Sequence, residues 1–120
     1  MKTILVADPD ESLAQALRDQ LEESDYSIEW VQDGEQAKKV IANGAPALLI
    51  LELFLPKIHG LTLLCQLADG ADQIGVKILV VSNRAFLQDM RISRELGVVD
   101  YLIKPIDSED ISQKVRELLG

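Results

Sequence analysis

Five short apolar runs separated by amphipathic segments restrict this chain more than any other feature: Thr3 to Ala7, Ser27 to Val31, Ala47 to Leu51, Val76 to Val81 and Tyr101 to Ile103. Runs such as Ala47-Leu48-Leu49-Ile50-Leu51 and Ile78-Leu79-Val80-Val81 show no polar alternation. A strand of that kind is buried on both faces, which happens in parallel sheets covered by helices. Strand and helix alternating along the chain therefore predict an α/β domain. Parallel crossovers are right-handed, so five such units wind into a doubly wound sheet with helices on both sides.

The segments between the runs carry helix signals. Leu13, Leu17 and Leu21 recur every four residues behind Asp10 and Ser12, either of which can cap the helix. Asp33 with Gln36 three places on has the capping-box arrangement; Ala37, Val40 and Ile41 then face inward, and Asn43-Gly44 stops the helix. Helix three is expected over about 61–68 and helix four over about 85–96, ended by Gly97. Asp107 or Ser108 opens helix five, whose Ile111, Val115, Leu118 and Leu119 form one stripe for the sheet.

A length of 120 residues suits one compact domain and is too short for two, so residues 1–120 read as a single unit. The net charge of −8, with 12 Lys and Arg scattered along the chain, argues against direct nucleic-acid binding, which needs clustered cations. The apolar residues after Thr3 are too few for a signal-peptide core or a membrane span, so no membrane contact and a cytoplasmic location are expected. Cys65 has no second cysteine to pair with, and between Leu63, Leu64 and Leu67 it is expected to be a buried thiol.

Doubly wound sheets bind ligands and do chemistry at the carboxyl ends of their strands. Asp8 follows strand one, Glu52 ends strand three, Ser82 ends strand four and Lys104 follows strand five ahead of Pro105, so these four are expected to converge. Taken alone, Glu52 and Lys104 can also be read as a partly exposed ion pair, and Ser82 as a strand-terminating hydroxyl. The loop Asp8-Pro9-Asp10-Glu11 is acidic and has no glycine-rich turn, which disfavours a phosphate cradle and hence a flavodoxin-like cofactor carrier.

The segments Ile4-Leu5-Val6-Ala7-Asp8, Leu49-Ile50-Leu51-Glu52-Leu53-Phe54-Leu55-Pro56 with Gly60, Val80-Val81-Ser82 and Asp100-Tyr101-Leu102-Ile103-Lys104-Pro105 come in an order and spacing that resembles the receiver domain of two-component response regulators. The resemblance spans nearly the whole chain. It implies a single-domain flavodoxin-like (βα)5 sandwich with a parallel five-stranded sheet of order 2-1-3-4-5. It also implies a signalling domain, not an enzyme, in which an aspartate at the place of Glu52 takes a phosphoryl group while acids after strand one hold magnesium. A carboxylate attacking a phosphoryl group must overcome like-charge repulsion, which is why such a site needs a divalent metal and a lysine.

Carried over by position, Glu52 stands for the phospho-acceptor, Ser82 for the hydroxyl that bonds the phosphoryl oxygen, Lys104 for the charge partner and Tyr101 for the switch aromatic. Asp8, Glu52 and the backbone carbonyl of Phe54 would be the metal ligands. Two departures change the expectation. Pro9 stands where the second acid belongs and offers no side-chain oxygen, so at most weak Mg2+ binding is expected. Glu52 is longer than aspartate by roughly one bond length, more than near-attack geometry tolerates, and its charge sits nearer to where a phosphoryl group would lie. The expectation is a pseudo-receiver in which Glu52 mimics phosphorylation and the output is protein binding through helix four, strand five and helix five, around Arg84, Arg91 and Arg94. Its partner would be a histidine kinase, another receiver or an output domain.

An alternative keeps the phosphorelay, with Glu52 modified or a metal recruited by Asp8 and Asp10, although Asp10 is already accounted for as a helix cap. Tyr101 reads equally as core, His59 as a solvated loop position, and Trp30 as packing or a partly exposed surface aromatic.

Overall fold

In the computed structural model, which describes residues 1–69, 76–84 and 86–120, each apolar run becomes a strand and each amphipathic segment a helix. In chain order these are β1 (Lys2–Ala7), α1 (Ser12–Gln20), β2 (Tyr26–Val31), α2 (Gly34–Asn43), β3 (Leu48–Leu51), α3 (Gly60–Asp69), β4 (Lys77–Ser82), α4 (Leu87–Glu95), β5 (Asp100–Ile103) and α5 (Ser108–Leu119). The strands pair in the order β2-β1-β3-β4-β5, all parallel, which is the flavodoxin-like order. β1 lies between two partners, with Ala7 opposite both Val31 and Leu51.

Burial on both sheet faces explains the unbroken apolar runs. Leu5, Ala7, Leu49, Leu51 and Val80 point to one side, where Ala37 and Ile41 of α2 and Leu63, Leu64 and Leu67 of α3 cover them. Ile4, Val6, Leu48, Ile50, Leu79 and Val81 point to the other, under Leu17 of α1 and Ile111, Val115 and Leu119 of α5. Successive residues of the central strands thus feed alternate cores, which is why those runs show no polar alternation.

Boundaries and caps move by small steps. Asp33 accepts from the Gln36 N–H at 2.8 Å as expected, but the Gln36 amide oxygen accepts from the Gln32 N–H at 3.0 Å, one residue ahead of the reciprocal box. α1 begins at Ser12 behind Glu11, which makes no side-chain cap bond. Asp10 instead holds the first turn from outside, accepting from the Ser12 N–H and hydroxyl at 2.9 and 2.6 Å. At α5 the cap is Asp107, which accepts from the Glu109 N–H at 2.9 Å. The expected start of helix four at Ala85 lies outside the described residues; α4 ends at Glu95, and Gly97 just beyond its cap Leu96 has a φ of +94°, a conformation that favours glycine.

The expectation of a buried Cys65 is overturned: its side chain is exposed. A helix advances about 100° per residue, so Leu63, Leu64 and Leu67 share one face and Cys65 points well away from it. The apolar neighbours made the local sequence look buried when the helix periodicity already placed Cys65 outside. Among the described residues no helix is long and apolar enough to cross a membrane.

Candidate functional site

The parallel ladder places the ends of β1, β3 and β4 side by side, and main-chain bonds continue it into the loops. The Asp8 N–H donates to the Val31 carbonyl at 3.1 Å, the Glu52 N–H to Ala7 at 2.9 Å and the Lys104 N–H to Ser82 at 2.9 Å. Asp8 and Glu52 are only 3% and 4% exposed, and Ser82 is fully buried. Beyond β3 the chain folds back tightly, with the Gly60 N–H donating to the Leu53 carbonyl at 2.9 Å. A Cβ at Gly60 would lie 2.4 Å from Leu53 Cα, so the turn under Glu52 excludes any side chain there.

Glu52 is where the donors meet. Its Oε2 accepts from the Ser82 hydroxyl, and from the Phe54 N–H at 3.2 Å. Its Oε1 accepts from Lys104 Nζ at 3.1 Å and from the Asn83 N–H at 3.4 Å. Burial pushes the Glu52 carboxyl up, but the bonds from Ser82, Phe54 and Lys104 outweigh it and hold the group below its ordinary value. Lys104 Nζ also lies 2.5 Å from Asp8 Oδ2. Burial lowers the ammonium, the two carboxylates raise it more, and it stays above its ordinary value.

Asp8, Glu52, Ser82 and Lys104 therefore come together as expected. Tyr101 joins them through the main chain: it is 5% exposed, and its hydroxyl donates to the Arg84 carbonyl at 2.6 Å. The Arg84 N–H in turn donates to Ser82 Oγ at 3.2 Å. Burial and the nearby Asp89 charge push the Tyr101 phenol above its ordinary value. Phe54 enters through its N–H, a role sequence reasoning did not assign, while its ring is exposed on the rim.

Two further residues are corrected or added. His59 is half-buried, not simply solvated; its Nδ1 accepts from the Leu61 N–H at 3.3 Å at the start of α3. Trp30 does more than pack: its indole N–H donates to the Asp8 carbonyl at 2.9 Å, bracing the acidic loop from the edge strand. A lone tryptophan at the end of β2, in register with Val6 on β1, was the signal available for it.

A cavity of about 1040 Å³ opens above these strand ends, bordered by Asp8, Pro9, Glu52, Phe54, Lys104 and Ile106. The residues around it offer fewer free oxygen ligands than a tightly held magnesium ion takes. Magnesium takes hard oxygen ligands in near-octahedral geometry. Pro9 has no side-chain oxygen, the Asp10 carboxylate already holds Ser12, and the Asp8 and Glu52 carboxylates are bridged by an ammonium. Among the described residues no cluster of three or more His, Cys, Asp or Glu is placed to hold a metal.

Residues 4–116 match the family model of the response regulator receiver domain. Response regulator MprA of Mycobacterium sp. (strain KMS) is 34% identical over 116 residues, which cover 97% of this chain and 50% of MprA. The alkaline phosphatase synthesis transcriptional regulatory protein PhoP of Bacillus subtilis (strain 168) is 32% identical over 118 residues, 98% of this chain and 48% of PhoP. The chain thus spans about half the length of the curated relatives it matches. A two-component response regulator from Clostridium difficile superposes with a TM-score of 0.86 at 28% identity, covering 99% of this chain and 96% of that one. With the strand order, the family match and these relatives in agreement, the chain belongs to the receiver domains of two-component response regulators.

Proposed function

We propose that this receiver domain is a pseudo-receiver: Glu52 occupies the phospho-acceptor position, supplies a permanent charge in place of a phosphoryl group, and signals by protein binding. One observation carries the reading. The Ser82 hydroxyl, the Phe54 and Asn83 N–H groups and the Lys104 ammonium all donate to the Glu52 carboxylate. Those are the donors a phosphoryl group at this strand end would need, and a charge-assisted set of this kind holds its acceptor strongly. Ser82 bonded to Glu52 and Tyr101 turned inward onto Arg84 support a site biased by the charge at position 52. The absent second acid at Pro9 and the lysine bridge between Asp8 and Glu52 support a site that works without a tightly held magnesium ion.

The output surface on this reading is α4, β5 and α5. Phe86, Leu87, Val99 and Ile103 are exposed there beside Arg91 and Arg94, which suits a protein partner such as a histidine kinase, another receiver or an output domain. The test is the intact mass of the protein after incubation with acetyl phosphate and magnesium, beside an active receiver. No adduct is expected. A phosphoryl adduct mapping to Glu52 would return the domain to the phosphorelay.

A further inference from the structure

α4 is attached to the rest of the molecule differently from the other four helices. α1, α2, α3 and α5 turn aliphatic side chains inward, among them Leu17, Ile41, Leu63 and Ile111. The buried positions of α4 are Asp89 and Ser93. The Ser93 hydroxyl has no hydrogen-bond partner among the described residues, and Met90 and Leu96 reach the core only partly buried. A helix with a polar underside gains little from apolar burial, so a specific polar contact must hold it in place.

That contact is Arg84. Its Nε donates to Asp89 Oδ2 at 2.9 Å, and the carboxylate it neutralises is nearly buried. The guanidinium lies 5.4 Å from the Phe86 ring centroid, and its Nη1 is 3.4 Å from His59 Nε2. The backbone of the same residue is bound to the strand-end site, through its N–H to Ser82 Oγ at 3.2 Å and its carbonyl to the Tyr101 hydroxyl at 2.6 Å. One residue therefore touches Ser82, which is itself bonded to Glu52, and also the buried face of α4.

We infer that Arg84 is the clasp through which α4 is held to the strand-end site: its main chain follows Ser82 and Tyr101, and its side chain carries that position to α4 through Asp89. It is a positioning residue. Its link onward to Glu52 as a charge switch rests on the reading given under Proposed function. The clasp itself stands on the Arg84–Asp89 pair.

Amide hydrogen exchange tests it. Arg84→Met keeps the aliphatic stem and both main-chain bonds and removes only the guanidinium. Asp89→Asn approaches the same pair from the helix side and leaves no buried charge. In each variant the α4 amides are expected to exchange at least about tenfold faster, relative to those of α1 and α5. Unchanged α4 exchange, or acceleration shared equally by all helices, would overturn the clasp. Glu52→Gln, made in the wild-type and Arg84→Met backgrounds, separates the two ideas. Shifts reaching α4 amides only when Arg84 is present support the clasp, and shifts that reach α4 equally without Arg84 overturn it. α4 amides unmoved by Glu52→Gln in the wild-type background, together with Arg84-dependent exchange, refute the charge-switch reading and uphold the clasp.

Discussion

Lys104 Nζ lies 2.5 Å from Asp8 Oδ2, joining residues 96 positions apart at the ends of β5 and β1. The same ammonium reaches Glu52, so one positive charge is shared between two nearly buried carboxylates. Removing it leaves both without a cation. Lys104→Met is expected to destabilise the domain at pH 7 by about 3 kcal/mol. The loss should shrink below about pH 4.5, the ordinary value of the Glu52 carboxyl, where that group can take up a proton. Urea unfolding of both proteins at the two pH values checks this; an equal loss at both would show that Lys104 contributes by packing, not by charge.

Glu52 gives the same direction of dependence from the side of the acid. Its folded-state carboxyl is held below its ordinary value of about 4.5, so its charge adds stability above that pH and loses it as pH falls through the folded value. Glu52→Gln, which keeps Asp8 as the partner of Lys104, is expected to cost about 1–2 kcal/mol at pH 7. The gap to wild type should close as pH falls below the ordinary value of about 4.5 and through the lower folded value. A gap that stays constant over that range would contradict an ionised Glu52 in the folded state.

Shortening the acid alone is not expected to restore chemistry. Glu52→Asp puts a carboxylate of the usual length at the end of β3, but Pro9 still withholds an oxygen from any metal, and uncompensated like charges keep a phosphoryl donor away. The variant incubated with acetyl phosphate and magnesium should show no added phosphoryl mass. Rapid labelling would mean that Glu52 itself, not the missing acid, is what blocks the reaction.

Cys65 gives a plain check on the fold. With its thiol on the solvent side of α3, the native protein should react with a water-soluble disulfide reagent about as fast as the unfolded chain. Cys65→Ser should change stability by less than about 0.5 kcal/mol. A slow reaction, or a loss of several times that size, would place the residue in the core.

The sequence by itself determined the architecture. Apolar runs such as Leu48 to Leu51 and the stripe Ile111, Val115 and Leu119 are periodic signals, legible within one element, and they set which residues face the sheet. Parallel strands put their last residues at one edge, so the convergence of Asp8, Glu52, Ser82 and Lys104 could also be read before any coordinates. Tertiary structure alone decided the partners: four donors on Glu52, the Trp30 indole on the Asp8 carbonyl, and Arg84 between Ser82 and Asp89. The bonds from Trp30, Ser82, Asn83 and Lys104 join segments distant in sequence, and all of these contacts depend on loop path and side-chain direction, which no local periodicity encodes. Cys65 belongs to the legible part: its leucine neighbours suggested the core, but the helical step of about 100° per residue already turned it away from Leu63, Leu64 and Leu67.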